Sequence, residues 1–204
     1  MLDRMILAAC KPLLDKTARV LVRAGVGADT VTLVGFGIGL GAALAIALQA
    51  TLVGLALLLA SRLADGLDGA VARATTPTDR GAFLDITLDF LFYASVPLAF
   101  AFADPSANAL AAALLLAAFI GTGSSFLAFA ILAERRGLPN AVPNKGFFFL
   151  GGLTEGTETI LCFALMCLWP AHFTWWAHGF AVLCGLTIVT RIAGGAKVLS
   201  RTAR

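Results

Sequence analysis

The sequence predicts an all-α integral membrane bundle of six transmembrane helices, preceded by an N-terminal amphipathic helix at the membrane interface. Three observations carry that prediction. The chain is 59% hydrophobic and 13% charged, about half the charge of an average soluble domain. Its apolar runs recur at lengths near the ~20 residues that cross a bilayer. Lys and Arg fall on alternate connections between those runs. The 204 residues suit one domain, 1–204, with an interfacial helix over 1–25 and a bundle over 31–199.

The first segment, "MLDRMILAACKPLLDKTARVLVRAG", interleaves Met5, Ile6, Leu13, Leu14, Val20 and Leu21 with Arg4, Lys11, Lys16, Arg19 and Arg23. Such a pattern suits a helix lying on an anionic membrane surface. It lacks the uninterrupted apolar core of a signal peptide. The spans are expected at 31–50, 52–73, 82–103, 109–134, 147–169 and 175–199. Span one, with Gly35, Gly37, Gly39 and Gly41 in "GFGIGLGAALAIA", reads as close helix packing through small residues. Spans one and two meet near Gln49 to Thr51 with almost no loop. "ATTPTDRG" at 74–81 breaks the second span from the third. "DPSAN" at 104–108, "RRGLPNAVPNKG" at 135–146 and "PAHFT" at 170–174 mark the later connections.

Arg62, Arg73 and Arg80 surround the second-to-third connection, and Arg135, Arg136 and Lys145 lie between the fourth and fifth spans. Arg191, Lys197, Arg201 and Arg204 end the sixth, whereas the opposite connections hold no Lys or Arg. The positive-inside rule then puts both termini and the 65–89 stretch on the cytoplasmic side. A bacterial inner (cytoplasmic) membrane is the expected location. The net charge of +3 describes attraction to anionic lipid headgroups. Without basic–aromatic interleaving, no nucleic-acid partner is expected. Cys10, Cys162, Cys167 and Cys184 lack metal-type spacing and read as free thiols acting as small hydrophobes. His172 and His178 flank Trp175 and Trp176, in keeping with an interfacial aromatic belt.

One stretch departs from this apolar background. "DGLDGAVARATTPTDRGAFLDITLD" carries Asp65, Asp68, Asp85 and Asp89. On helices, Asp65 and Asp68 share a face, as do Asp85 and Asp89. Four neighbouring carboxylates repel one another and need positive charge nearby. Arg62, Arg73, Arg80 or bound cations are the candidates. A carboxylate-only set suits hard ions such as Mg²⁺ or Mn²⁺. Gly69 lets a ligand approach the backbone, and Arg73 can pair with a phosphate. The cluster therefore reads as a phosphate-handling metal site at the membrane surface. On carboxylates alone, a cation pathway or a proton relay also fits, but it leaves Gly69 and Arg73 unexplained.

Asp65, Asp68, Gly69, Ala72, Arg73, Gly81, Asp85 and Asp89 resemble the D-x-x-D-G-x-x-A-R … G-x-x-x-D-x-x-x-D signature of the CDP-alcohol phosphatidyltransferases. Seven residues, Ala74 to Arg80, separate Arg73 from Gly81, where the signature has eight. A second element, "ADTVT", resembles the family's Pro-Asn/Asp-x-x-Thr, with Ala28 in place of proline, then Asp29 and Thr32. The resemblance implies a six-helix membrane enzyme working as a homodimer. Such an enzyme transfers a phosphatidyl group from CDP-diacylglycerol to an acceptor hydroxyl and releases CMP. Asp65, Asp68, Asp85 and Asp89 are then expected to hold two Mg²⁺ ions, with Mn²⁺ as a substitute. Asp89 is the expected general base. Asp29, Thr32, Gly69, Arg73 and Thr78 are expected against the CDP donor. Intramembrane prenyltransferases also use aspartate-rich helix ends, but their motifs lack the ordered G-x-x-A-R element.

The acceptor has the weakest signature. An arginine within the sixth span should have a partner. Arg191 either pairs with Glu155 and Glu158 or, with Lys145, faces an anionic acceptor. The expected acceptor is a small polar molecule: glycerol 3-phosphate first, inositol phosphate second.

Overall fold

The computed structural model describes residues 2–137 and 154–200. Lys145, Arg201 and Arg204 lie outside the described residues, as does the start of the expected fifth span. Among the described residues there are helices and no strands: α1 (Leu2–Arg23), α2 (Ala28–Ala47), α3 (Thr51–Ala74), α4 (Asp79–Ala103), α5 (Pro105–Arg135), α6 (Gly156–Leu168) and α7 (Phe173–Ser200). A 3₁₀ turn, Pro170–His172, joins α6 to α7. Among the described residues, four segments are long and apolar enough to cross a membrane: Ala28–Ala47, Asp79–Ala103, Pro105–Arg135 and Pro170–Ser200. Helix α3 has similar length but carries Arg62, Asp65, Asp68 and Arg73; α6 has 13 described residues.

Sequence punctuation accounts for the boundaries. Between α2 and α3 the chain turns at Gln49 with φ 63°, a left-handed residue that ends the helix. Its neighbour Ala50 donates its N–H back to Ala45 O at 2.9 Å, satisfying an end carbonyl. Between α3 and α4, Pro77 bars Thr76 from helical backbone. Thr78 then caps α4, its hydroxyl accepting from Gly81 N at 3.0 Å. The turn needs just Thr75 to Thr78, which is why a seven-residue interval between Arg73 and Gly81 suffices. Asp104 caps α5 by accepting from Ala107 N at 3.1 Å, followed by Pro105 at the first helical position.

Helix α2 packs against both α3 and α4, α5 packs against both α4 and α7, and α1 lies against α3. The glycines of α2 divide into two kinds. A Cβ on Gly35 would come within 2.9 Å of Ala64 Cβ, and one on Gly39 within 2.6 Å of Phe92. Gly37 faces open space, and Gly41 would make ordinary contact. Two of the four therefore provide the expected close packing. The main core joins Phe92, Phe100, Phe163, Phe173, Leu115 and Met166. A smaller cluster, Ala18 with Val31, Ala70 and Val71, docks α1 onto the end of α3. Cys162, Cys167 and Cys184 are buried free thiols, as expected. Trp175 is 79% exposed, while Trp176 packs against the core.

Candidate active site

The break between α3 and α4 folds two aspartate-bearing helix ends against each other. Asp65 and Asp68 lie near the end of α3; Asp85 and Asp89 lie in the first half of α4. One carboxylate oxygen from each of Asp65, Asp68 and Asp85 falls within 4.8 Å of the others. Such spacing suits three ligands around one hard cation. Asp68 is 5% exposed, and its Oδ2 has no hydrogen-bond partner. A buried carboxylate oxygen without a donor is costly unless something positive meets it. The all-oxygen donor set and this orphaned atom fit a divalent metal ion.

Asp89 stands apart from that trio. Its Oδ1 accepts from Arg62 Nη1 at 2.6 Å, and the same nitrogen lies 3.4 Å from Asp65 Oδ1. Arg62 thus supplies the compensating charge, and the other two candidates do not. Arg73 is exposed. Arg80 reaches Asp29 instead, Nε to Oδ2 at 3.4 Å.

The residues expected near the donor gather around the same helix ends. Thr32 lines a small pocket with Asp65, Asp68 and Asp85. Asp29, Thr78 and Gly81 are adjacent: a Cβ on Gly81 would stand 3.2 Å from both Asp29 Oδ1 and Thr78 Oγ1. Gly69 and Arg73 face each other one turn apart on α3, with Arg73 Nη1 3.2 Å from where a Gly69 Cβ would stand.

Beyond the carboxylates opens a cavity of about 400 Å³. Asp65, Asp85 and Asp89 form one wall, and Arg191, Glu155 and Thr154 line it too. Arg191 is 9% exposed; its Nη1 donates to Thr122 O at 3.1 Å, and its Nε has no partner. Its guanidinium lies 5.7 Å from the Phe126 ring centroid. Of the two alternatives for Arg191, a close ion pair with Glu155 or Glu158 is not formed; those two residues make a capping box at the start of α6. Sequence reasoning missed this box, although Glu155 and Glu158 have its three-residue spacing. It also missed Thr154, which lines the cavity, and its fully buried partner Thr187, their hydroxyls 3.0 Å apart.

With this geometry in hand, similarity to known proteins is decisive. The sequence profile of the CDP-alcohol phosphatidyltransferases matches residues 26–187. The chain belongs to that family. It is therefore an enzyme, a membrane transferase of substituted phosphate groups in phospholipid synthesis. It is 53% identical over 196 residues to "Inner membrane protein YnjF" of Escherichia coli (strain K12), covering 96% of this chain and 95% of that protein. Its fold is shared with phosphatidylinositol phosphate synthase (PgsA1) of Mycobacterium tuberculosis. The PgsA1 crystal structure with CDP-DAG bound superposes with a TM-score of 0.76 at 23% identity, covering 95% of this chain and 100% of that one. The PgsA1 complex with manganese and citrate gives 0.73 at 22% identity, covering 93% of each chain.

Proposed function

We propose that this member of the family moves a phosphatidyl group from CDP-diacylglycerol to the hydroxyl of a small polar acceptor, releasing CMP. The observation that carries the reading is the Asp65, Asp68 and Asp85 trio, with its orphaned oxygen, opening beside a cavity lined by Arg191. The presence of CDP-DAG and manganese in the PgsA1 structures supports it by analogy.

In this reading Asp65, Asp68, Asp85 and Asp89 hold two divalent cations, Mg²⁺ with Mn²⁺ as substitute. Bound there, such ions neutralise the leaving CMP and polarise the phosphorus under attack. Asp29, Thr32, Gly69, Arg73 and Thr78 hold the CDP portion. Asp89, which lines the large cavity, accepts the proton of the acceptor hydroxyl. Arg62 holds that carboxylate in place, Nη1 donating to its Oδ1 at 2.6 Å. Arg191, joined by Lys145, supplies positive charge for a phosphorylated acceptor. Glycerol 3-phosphate is the first choice and inositol phosphate the second.

The same proposal covers the setting. The chain acts as one unit over 1–204, with six spans and α1 lying at the interface. It works as a homodimer in a bacterial inner membrane, with its termini and site toward the cytoplasm. The alternating basic connections support that orientation, and the location of the E. coli relative, given in its name, supports the membrane.

Acceptors should be tested singly with CDP-diacylglycerol and Mg²⁺, the lipid product being identified by mass. A phosphorylated acceptor should be consumed, and Arg191→Ala should raise its KM without weakening donor binding. Use of an acceptor without phosphate alone would overturn the cationic-pocket part of the proposal.

A further inference from the structure

Arg62 is built into the site more firmly than charge balance alone requires. Its side chain is 14% exposed. The guanidinium carbon lies 4.0 Å from the centroid of the Phe92 ring, which is itself fully buried. Nη2 donates to Ser61 Oγ at 3.3 Å, and that hydroxyl donates in turn to Gly35 O at 2.8 Å. Nε has no partner. Aromatic stacking and a buried hydroxyl thus fix the guanidinium from behind. Nη1 projects forward, 2.6 Å from Asp89 and 3.4 Å from Asp65. Between those two carboxylates, the guanidinium occupies the edge that a second divalent ion would need.

Charge makes the consequence specific. Counted at full formal charge, four carboxylates with one guanidinium and one divalent ion come close to neutral. A second divalent ion drives the site positive and repels Arg62 until an anionic diphosphate arrives. Asp65 belongs to both sets: it lies 3.4 Å from Arg62 Nη1, and with Asp68 and Asp85 it forms the trio whose oxygens converge within 4.8 Å.

We propose that Arg62 is a positioning residue and resident counter-cation at the Asp65–Asp89 edge. Without donor, the cluster takes one divalent ion, at Asp65, Asp68 and Asp85. The second binds at the expense of the Arg62–Asp89 pair, and the donor's diphosphate makes that exchange favourable. The proposal rests on the metal-site reading above.

The test counts Mn²⁺ on the purified full chain in lipid nanodiscs, using the loss of the free-ion paramagnetic signal. Wild type, Arg62→Gln and Asp68→Asn are titrated without donor, and wild type again with CDP-diacylglycerol. Wild type should bind one ion tightly and a second at least about tenfold more weakly, the scale of a close charge-pair coupling. Arg62→Gln should bring the second affinity close to the first, and CDP-diacylglycerol should do the same for wild type. Unchanged second-site affinity in Arg62→Gln would overturn the inference while leaving the metal site standing. No Mn²⁺ binding to wild type, with Asp68→Asn indistinguishable from it, would overturn both. If Arg62→Gln does not fold, Arg62→Met replaces it. Methionine keeps an apolar contact with the Phe92 ring and removes the charge, so the second ion should again bind more tightly than in wild type; an unchanged affinity would overturn the inference.

Discussion

The two ends of α4 treat polarity in opposite ways. At its far end the chain satisfies itself. Asn108 Nδ2 donates to Phe100 O at 2.9 Å, and Gln49 Nε2 donates to Ala103 O at 2.9 Å. Phe100 stacks on Phe173 with centroids 4.5 Å apart. At its near end, Asp85 and Asp89 meet Asp65 and Asp68, and protein groups do not complete the set. Asp68 Oδ2, Arg62 Nε and Arg191 Nε are buried without partners. Trp176 Nε1, on α7, shares that condition, so an orphaned donor alone does not mark a site. What distinguishes the near end is that these residues line two adjoining pockets that share Asp65, Asp85 and Asp89. One end of the helix is built for stability, and the other holds unpaired charge in readiness for ligands.

If this contrast is right, substitutions at the two ends should separate activity from stability. The largest effect belongs to Asp89. Asp89→Asn should lower turnover by about 10²–10⁴-fold, the range of a general base. Donor affinity, measured separately with CDP-diacylglycerol, should fall far less than turnover. Loss of donor binding with the per-complex rate preserved would contradict its assigned role.

Phe100→Ala tests the other end. Removing a fully buried stacked ring should cost about 3–5 kcal/mol. A large drop in Tm should follow, with turnover per folded molecule retained. Activity lost in proportion beyond unfolding would erase the contrast between the ends.

Gly39→Ala sharpens the comparison, because Gly39 lies between the two regimes. The new methyl would meet Phe92 at 2.6 Å and Ser61 Oγ at 2.9 Å. Overpacking of this kind costs about 1–3 kcal/mol. Phe92 and Ser61 also support Arg62, so this stability change should come with altered Mn²⁺ binding. Phe100→Ala should leave Mn²⁺ binding of the folded protein unchanged.

The smallest effect concerns pH at the far end. The Ser106 hydroxyl and the Ala107 N–H, both donating to Asp104, hold its carboxyl below the ordinary value of 3.8. Because the folded value is depressed, the stabilisation is complete above the unfolded value and is lost as pH falls through the folded one. Acidification below about pH 4 should therefore lower Tm slightly less in Asp104→Asn than in wild type. Identical acid profiles would remove the cap from the account.

Most of the helical layout was legible in the sequence, since apolar length and turn residues are local signals. The expected 82–103 and 175–199 spans differ from α4 and α7 mainly at their starts. Caps explain the shift at α4: Thr78, a polar residue outside the apolar run, starts the helix at Asp79. The aspartates were legible because charge in an apolar chain is conspicuous and their spacing is ordered. Partner choice was not. Three arginines lay near the cluster in sequence, and the selection of Arg62 depends on its stacking on Phe92, a contact between different helices. The partners of Arg191 were equally hidden: it donates to Thr122 O on another helix, while Glu155 and Glu158 form a local capping box.

The central claim is that the carboxylate end is a divalent-metal site where CMP is released. The direct measurement follows CMP release from CDP-diacylglycerol, with acceptor present, as Mg²⁺ is titrated into wild type and Asp68→Asn. Thermal unfolding of both is recorded in parallel. Wild type should require the ion, and Asp68→Asn should lose release while its Tm does not fall, since a buried carboxylate without a partner has gone. Near-normal CMP release by folded Asp68→Asn at ordinary Mg²⁺ would contradict the account.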